Sequence, residues 1–291
     1  MKVRFVEAER AQHPVSLLCT AAGITPAGYY AARRRPESQR VRRDHELCGL
    51  IATAHTRSRR TYGAPRIHAD LAAAGVQVAK KRVARLMRQH GLAGVSRRGT
   101  RRTTIRDQAA APAPDRVQRR FTANGPNQLW VADITYIPTL EGWLFLAVVM
   151  DAWSRRIVGW SMRDDLEAQL VVDAVGMAAT RRRPSVGLVH HSDRGSQYAS
   201  VAFGRTLRDA GILASMGSRG DAYDNAAAES CISTIKNELV HQHRSTTRDQ
   251  ARLAVFDYIE GFYNPHRRQS RLGHKSPIKY EIINQTAADA A

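Results

Sequence analysis

Cysteine is scarce and scattered. The chain carries Cys19, Cys48 and Cys231 with no C-x-x-C spacing, which excludes a disulfide framework and a thiolate zinc site as organising features. Long apolar runs are missing as well. No stretch reaches the about 20 residues that cross a bilayer, and no basic-then-apolar leader opens the chain. A cytoplasmic protein with no membrane partner is expected. Acidic residues are in deficit: 26 Asp and Glu stand against 45 Lys and Arg, a formal net charge of +19 and a pI near 10.8. Such an excess points to a polyanion, most simply nucleic acid; an anionic membrane surface is the competing partner. Aromatic residues make up only 7%, yet all four tryptophans fall between Trp130 and Trp160. No internal repeat is visible.

What is present divides by composition. Val15–Ala22 reads as a short helix broken by Gly23, and Thr25 with Pro26 starts another that passes Tyr29 and Tyr30. His45–His55, a segment from Pro65 to Gly75, and Ala79–His90 read as three further helices. On the last, Val83, Leu86, Met87 and His90 share one face, while Lys81, Arg85 and Arg88 cluster opposite, suited to phosphate or groove contact or else a solvated charge face. Residues 95–120 are rich in Arg, Ala and Pro and read as a basic linker, in which Arg97, Arg98, Arg101, Arg102 and Arg106 can track a DNA backbone. From Phe121 onward, Leu129–Ile137, Trp143–Met150 and Arg156–Met162 read as strands, with Asp151 as a turn residue. Leu166–Thr180 follows as a helix, Val186–His190 as a strand, Ser200–Ala210 as a helix and Ile212–Met216 as a strand. This order makes a mixed α/β sheet. Thr247–Tyr263 is a further helix, and the tail offers Arg267, Arg268, Arg271 and Lys275 to DNA or to a surface turn.

Three carboxylates stand out. Asp133 interrupts the apolar run L-W-V-A-D-I-T-Y-I-P, where an acid is costly unless paired, hydrogen-bonded or metal-bound. Asp193 follows the run Val186–Val189, at the end of an expected strand. Glu229 lies thirty-five intervening residues later on an expected helix. There Asn225, Glu229, Ser233 and Lys236 fall within roughly 80° of one another, beside an apolar stripe of Ala228, Cys231, Ile232, Ile235 and Leu239. One face can pack on a sheet while the other aims a carboxylate, an amide and an ammonium at a common site. Oxygen ligands with no thiolate suit a hard cation, Mg²⁺ or Mn²⁺. The bland alternatives are a satisfied core Asp and a surface helix. Asp221 and Asp224 suit turn and helix-capping roles, and His190 and His191 packing or support rather than zinc binding.

W-V-A-D-I-T-Y, H-S-D-R-G-S-Q-Y and Y-D-N-A-A-A-E-S, with Lys236 seven residues after Glu229, resemble the DDE transposases of bacterial insertion sequences. The closest type is that encoded by the second, larger reading frame, whose core is similar to that of retroviral integrases. The upstream Y-G-x-x-R-I-H and R-V-x-R-L-M-R-x-x-G-L resemble the helix–turn–helix segment of the same type, although Pro65 stands where a basic residue is common. The resemblance implies an N-terminal helical segment at 1–40, a helix–turn–helix region at 41–94, the linker at 95–120, a ribonuclease-H-like integrase core at 121–285 and a disordered tail at 286–291. It implies a catalytic and metal-binding triad of Asp133, Asp193 and Glu229 holding two Mg²⁺ or Mn²⁺ ions, supported by Asn225 and Lys236. The implied activity is cleavage and strand transfer at the element's ends; a hydrolysis-only nuclease and an inactive DNA-binding regulator are the alternatives. Implied partners are double-stranded DNA (terminal repeats and target), further copies of the chain assembled on that DNA, and the upstream reading-frame product. A nucleoid-associated location follows.

Overall fold

The structure, a computed structural model, describes residues 2–95, 123–193, 195–217 and 225–289. Three short helices open it: α1 (Lys2–Glu9), α2 (Val15–Ala22) and α3 (Pro26–Arg34). The Thr25 hydroxyl accepts from the Gly28 N–H at 3.1 Å, and Pro26 stands at the first helical position, as the sequence leads one to expect. Val6, Leu18, Cys19 and Tyr29 close a small separate core. The contribution of Val6 explains why α1 forms although its own sequence announces no helix.

α4 (Gln39–Arg57), α5 (Ala64–Ala73) and α6 (Lys80–Gln89) come next. α4 begins well before the expected His45, because the Ser38 hydroxyl accepts from the Val41 N–H and caps it there. Leu47, Ile51 and Ala54 pack with Ile67, Leu71, Val83, Leu86 and Met87. These residues belong to the same hydrophobic cluster as one face of the downstream sheet, so the three helices sit on the sheet rather than apart from it.

The sheet contains β1 (Leu129–Thr139), β2 (Gly142–Asp151), β3 (Ile157–Arg163), β4 (Val189–Ser192) and β5 (Leu213–Met216), in the order β3-β2-β1-β4-β5. The first three are antiparallel neighbours; β1, β4 and β5 run parallel. α7 (Ala168–Arg182) precedes β4 and α8 (Val201–Asp209) links β4 to β5. They cover one face, where Trp130, Ala132, Ala147, Val149 and Val158 pack on Leu170, Ala174 and Phe203. At Gly159 a Cβ would lie 2.2 Å from the Ala174 carbonyl oxygen, so glycine is what lets α7 approach β3. The opposite face (Leu129, Val131, Ile137, Leu144, Leu146, Val148, Met150) is covered by α9 (Ala226–Ile235) and α10 (Arg248–Phe256) with its extension. Burial on both faces is why β1 and β2 read as nearly unbroken apolar runs.

α9 and α10 each continue into a π-helical turn, residues Lys236–Val240 and Asp257–Tyr263. α11 (Pro277–Asp289) is the last described element. Its Glu281 carboxylate accepts from Arg156 at 2.7 Å and from Arg182 at 2.9 and 3.0 Å. β4 starts three residues later than expected, because Gly187 turns there with φ +101 and leaves Val186 exposed. No described helix is long and apolar enough to cross a membrane.

Candidate active site

β1 is the central strand, and Asp133 sits in its middle. Strand alternation puts Leu129, Val131, Asp133, Thr135 and Ile137 on the α9 side of the sheet. Val131 pairs with His191 on the parallel strand β4. The pairing ends there, two residues short of both aspartates, and the Asp193 carboxylate is close enough to act on that of Asp133. Asp193 follows the last residue of β4, at the carboxyl end where open α/β sheets place their ligands.

α9 brings Glu229 to the same end. Its stripe of Ala227, Ala228, Cys231, Ile232 and Ile235 is buried against the sheet, as the helical spacing predicts, and the small residues near its start allow close approach to β1. Asn225 fixes the approach. Its buried side chain donates from Nδ2 to the Ala132 carbonyl at 2.9 Å, which ties the first residue before α9 to the peptide next to Asp133. Its Oδ1 is buried without a partner among the described residues. Asp221 and Asp224 lie outside the described residues.

The electrostatics reflect this crowding. The Asp133 carboxyl is pushed up to about 7, first by burial and then by the Asp193 carboxylate, with Glu229 adding to it; the Ile134 N–H and Lys236 pull the other way. That N–H donates to Asp133 Oδ1 at 2.8 Å. The Asp193 carboxyl is also raised by its surroundings, against a 3.1 Å hydrogen bond from the Gly195 N–H. Both aspartates are raised, so in the absence of a cation the pair holds a proton far more readily than exposed carboxyls do. The Tyr198 hydroxyl, buried within the field of both, has no hydrogen-bond partner among the described residues. Among the described residues, no three His, Cys, Asp or Glu side chains already close into a metal cage. His190 and His191 are not drawn in. His190 packs edge-on to Phe203 with its ring fully buried, and His191 Nδ1 lies 2.9 Å from the Ser215 hydroxyl. Asp151 accepts from the N–H groups of Asn127, Trp153 and Ser154, the turn role expected of it.

Lys236 begins the π turn after α9, and its Nζ lies 4.5 Å from the centre of the Tyr136 ring. Several arginines expected to face DNA do other work. Arg267 is buried and grips the Glu238 carboxylate through two hydrogen bonds of 2.7 and 2.6 Å. The same carboxylate accepts from the Tyr258 hydroxyl at 2.8 Å and from Arg66 of α5 at 3.3 Å. Arg268 pairs with Asp70 of α5 and donates to the His274 carbonyl. Arg267 and Arg268, both expected to reach DNA, thus have their guanidinium groups engaged by buried carboxylates. Arg85 donates to Asp44 at 2.7 Å, as does Arg82, which locks α6 to α4. Lys81, Arg88 and Arg271 remain exposed. Arg97, Arg98, Arg101 and Arg102 lie outside the described residues.

Sequence reasoning missed the Glu238 hub and the exposed pair Tyr136 and Trp143 beside Lys236. The hub had one readable signal: an acid on the apolar side of an amphipathic helix needs a cationic partner. Nothing in the sequence pairs Trp143 with Tyr136 before the strand register is known.

Three family models match: "Integrase core domain" over residues 123–222, a second of that description over 210–277, and "HTH-like domain" over 42–100. The transposase for insertion sequence element IS629 of Shigella sonnei is 42% identical over 94% of this chain and 93% of its own length. Transposase InsF for insertion sequence IS3A of Escherichia coli (strain K12) is 37% identical over 98% of this chain and 99% of its own. Among solved structures, the HTLV-2 integrase catalytic core domain in complex with magnesium aligns with 55% of this chain and 99% of that one, at 17% identity and a TM-score of 0.43. With identity of this extent along nearly its whole length, the chain belongs to the transposases of bacterial insertion sequences.

Proposed function

We propose that the protein cleaves and joins DNA at the ends of its element with Asp133, Asp193 and Glu229 as the catalytic, metal-holding carboxylates. The observation that carries this reading is the crowding of Asp133. A carboxyl raised to about 7 by burial and by neighbouring carboxylates marks a site short of positive charge. The donor set fits a hard divalent cation: oxygen ligands on a central strand, a strand end and a helix, with the nearby histidines engaged in packing. Mg²⁺ or Mn²⁺, as two ions, would be held by Asp133, Asp193 and Glu229. When bound, such ions supply charge neutralisation at the scissile phosphate and a nucleophile at neutral pH.

The chain's own residues then divide the labour. Asp133 is a rigid donor because β1 is central and the Ile134 N–H orients its carboxylate. Asn225 holds the start of α9 on β1, so that Glu229 keeps its distance from Asp133. Lys236 offers a cation to the DNA strand next to the carboxylates. In-line attack by water breaks the bond between phosphorus and the 3′ oxygen; the freed 3′-hydroxyl then attacks a second phosphodiester in the same way. No covalent protein–DNA intermediate is required. The partner DNA comprises the terminal repeats and the target, bound by a homo-oligomer, with the upstream reading-frame product as a fusion or companion.

The test is to incubate the full chain with Mg²⁺ and labelled DNA carrying both ends that flank its gene. Joined products are expected. Hydrolysed ends without joining would replace this reading with that of a nuclease, and DNA binding without any cleavage would leave a regulator.

A further inference from the structure

β1 outruns its parallel neighbour. It pairs with β4 only at Leu129, Trp130 and Val131, whereas its pairing with β2 continues to Thr139. Tyr136 lies on this overhang, three residues past Asp133. Its ring stands edge-on to Trp143 of β2, with centroids 4.9 Å apart and planes at 78°. Both are open to solvent, Tyr136 at 43% and Trp143 at 51%, while Trp130 in the same sheet is fully buried. Lys236 Nζ stands 4.5 Å from the Tyr136 ring centre, and its charge also acts on the Asp133 carboxyl. With Pro138, His241 and Arg244, these residues line an open groove of about 590 Å³, well within the range of sites that take a small ligand.

The composition of this groove selects its occupant. A DNA duplex presents phosphates outward and keeps its bases stacked inside, so a surface that grips only duplex needs cations and no aromatic faces. Exposed aromatic rings interleaved with Lys and Arg are the makeup of sites for unpaired nucleotides, where a base stacks on a ring and its phosphate meets a cation. Resting on the function proposed above, we infer that the Tyr136–Trp143 groove takes one unpaired nucleotide from the end of the DNA strand held at the candidate active site. The base stacks against the aromatic pair, and Lys236 and Arg244 neutralise the backbone. Melting of the last base pairs is thereby favoured where strands must be separated for cleavage and joining.

Two hairpin duplexes test this, identical except that one ends blunt and the other ends in two unpaired nucleotides, one of them 2-aminopurine. Their affinities for the full chain are measured at one fixed salt concentration, and the ratio within each protein is the readout. The wild-type chain is expected to favour the open-ended duplex by about tenfold, the weight of one stacked base, and to change the 2-aminopurine emission on binding. Tyr136→Ala and Trp143→Ala should bring the ratio close to one. Tyr136→Phe and Trp143→Phe keep an aromatic face and should retain it, which separates loss of stacking from loss of fold. A wild-type ratio of one with firm binding to the blunt duplex would overturn the subsite while leaving the DNA-joining function standing. Unchanged ratios in the alanine variants would assign the aromatic pair to another partner, such as a protein surface. Failure to bind either duplex would remove both readings.

Discussion

Single side chains decide whether a positive charge in this protein meets DNA or its own fold. Arg267 and Arg271 are four residues apart and both line a polar groove of about 400 Å³, but Arg267 is 3% exposed and fully engaged with Glu238, while Arg271 is exposed. Arg267→Ala leaves a buried carboxylate with only Arg66 and Tyr258, and is expected to destabilise the protein by about 3–5 kcal/mol, read as a fall in thermal midpoint. Arg271→Ala should leave the midpoint unchanged and flatten the log–log salt dependence of DNA binding by about 0.9. Reversed results would exchange the two roles. His190 adds a pH dependence of its own. Burial pushes its imidazole down to about 3, so the folded chain keeps it neutral while the unfolded chain takes up a proton below about 6.5. Its contribution to stability is complete above that pH and is lost as pH falls toward 3. Proton uptake by the raised Asp133 carboxyl works the other way over pH 7 to 5, so the readout is the difference between proteins: the midpoint of His190→Leu should gain on that of the wild-type chain as pH falls from 7 to 5, and equal slopes in the two would contradict this.

At the scale of elements, α6 separates a packing role from a binding one. Arg82 and Arg85 share Asp44, so the basic face expected to contact phosphate is reduced to Lys81 and Arg88, with Arg85 as a strut. Lys81→Ala combined with Arg88→Ala should weaken DNA binding across sequences at unchanged thermal stability, whereas Arg85→Ala should loosen α4 against α6 and lower the midpoint. Equal effects of both on DNA affinity would show that the whole face binds. Most elements were legible because their signals are local: apolar runs bounded by turns for β1 and β2, Thr25 with Pro26 for α3, the Ala228–Cys231–Ile235 stripe for α9. Asp133, Asp193 and Glu229 were legible because acids in or next to apolar segments are conspicuous. The partners of Arg85, Arg267 and Arg268 were not, since Asp44, Glu238 and Asp70 lie on other elements and nothing local distinguishes a guanidinium that will be buried from one that will face solvent. The π turns after α9 and α10 were also invisible, being set by tertiary packing around Glu238 and Tyr258.

At the scale of the molecule, the helical region and the catalytic region share a core. Tyr62 packs 6.3 Å from Phe262 between ring centroids and accepts from the Arg268 N–H at 2.6 Å; Arg59 pairs with Asp257 at 2.9 Å. With Arg66 on Glu238 and Arg268 on Asp70, these contacts hold α4 and α5 against the end of the chain. A DNA segment bound on α6 would thus stand at a defined position relative to Asp133. Calorimetry is expected to show α4–α6 and the sheet unfolding in one transition. Asp70→Ala, which strands the half-buried Arg268, should split that transition or lower it by several degrees. A single unshifted transition would show that the two regions are held together by the apolar contacts alone.

The most direct test of the central claim concerns Glu229. Glu229→Gln keeps the length and helix propensity of the side chain and removes only its charge, so α9 and its packing on β1 should survive. Thermal midpoint, DNA affinity and Mg²⁺-dependent strand transfer are measured on one preparation. The account predicts an unchanged midpoint, DNA binding that is equal or slightly tighter, and a loss of cleavage and strand transfer together by several orders of magnitude. Strand transfer at the wild-type rate would contradict it, and would remove Glu229 from the site.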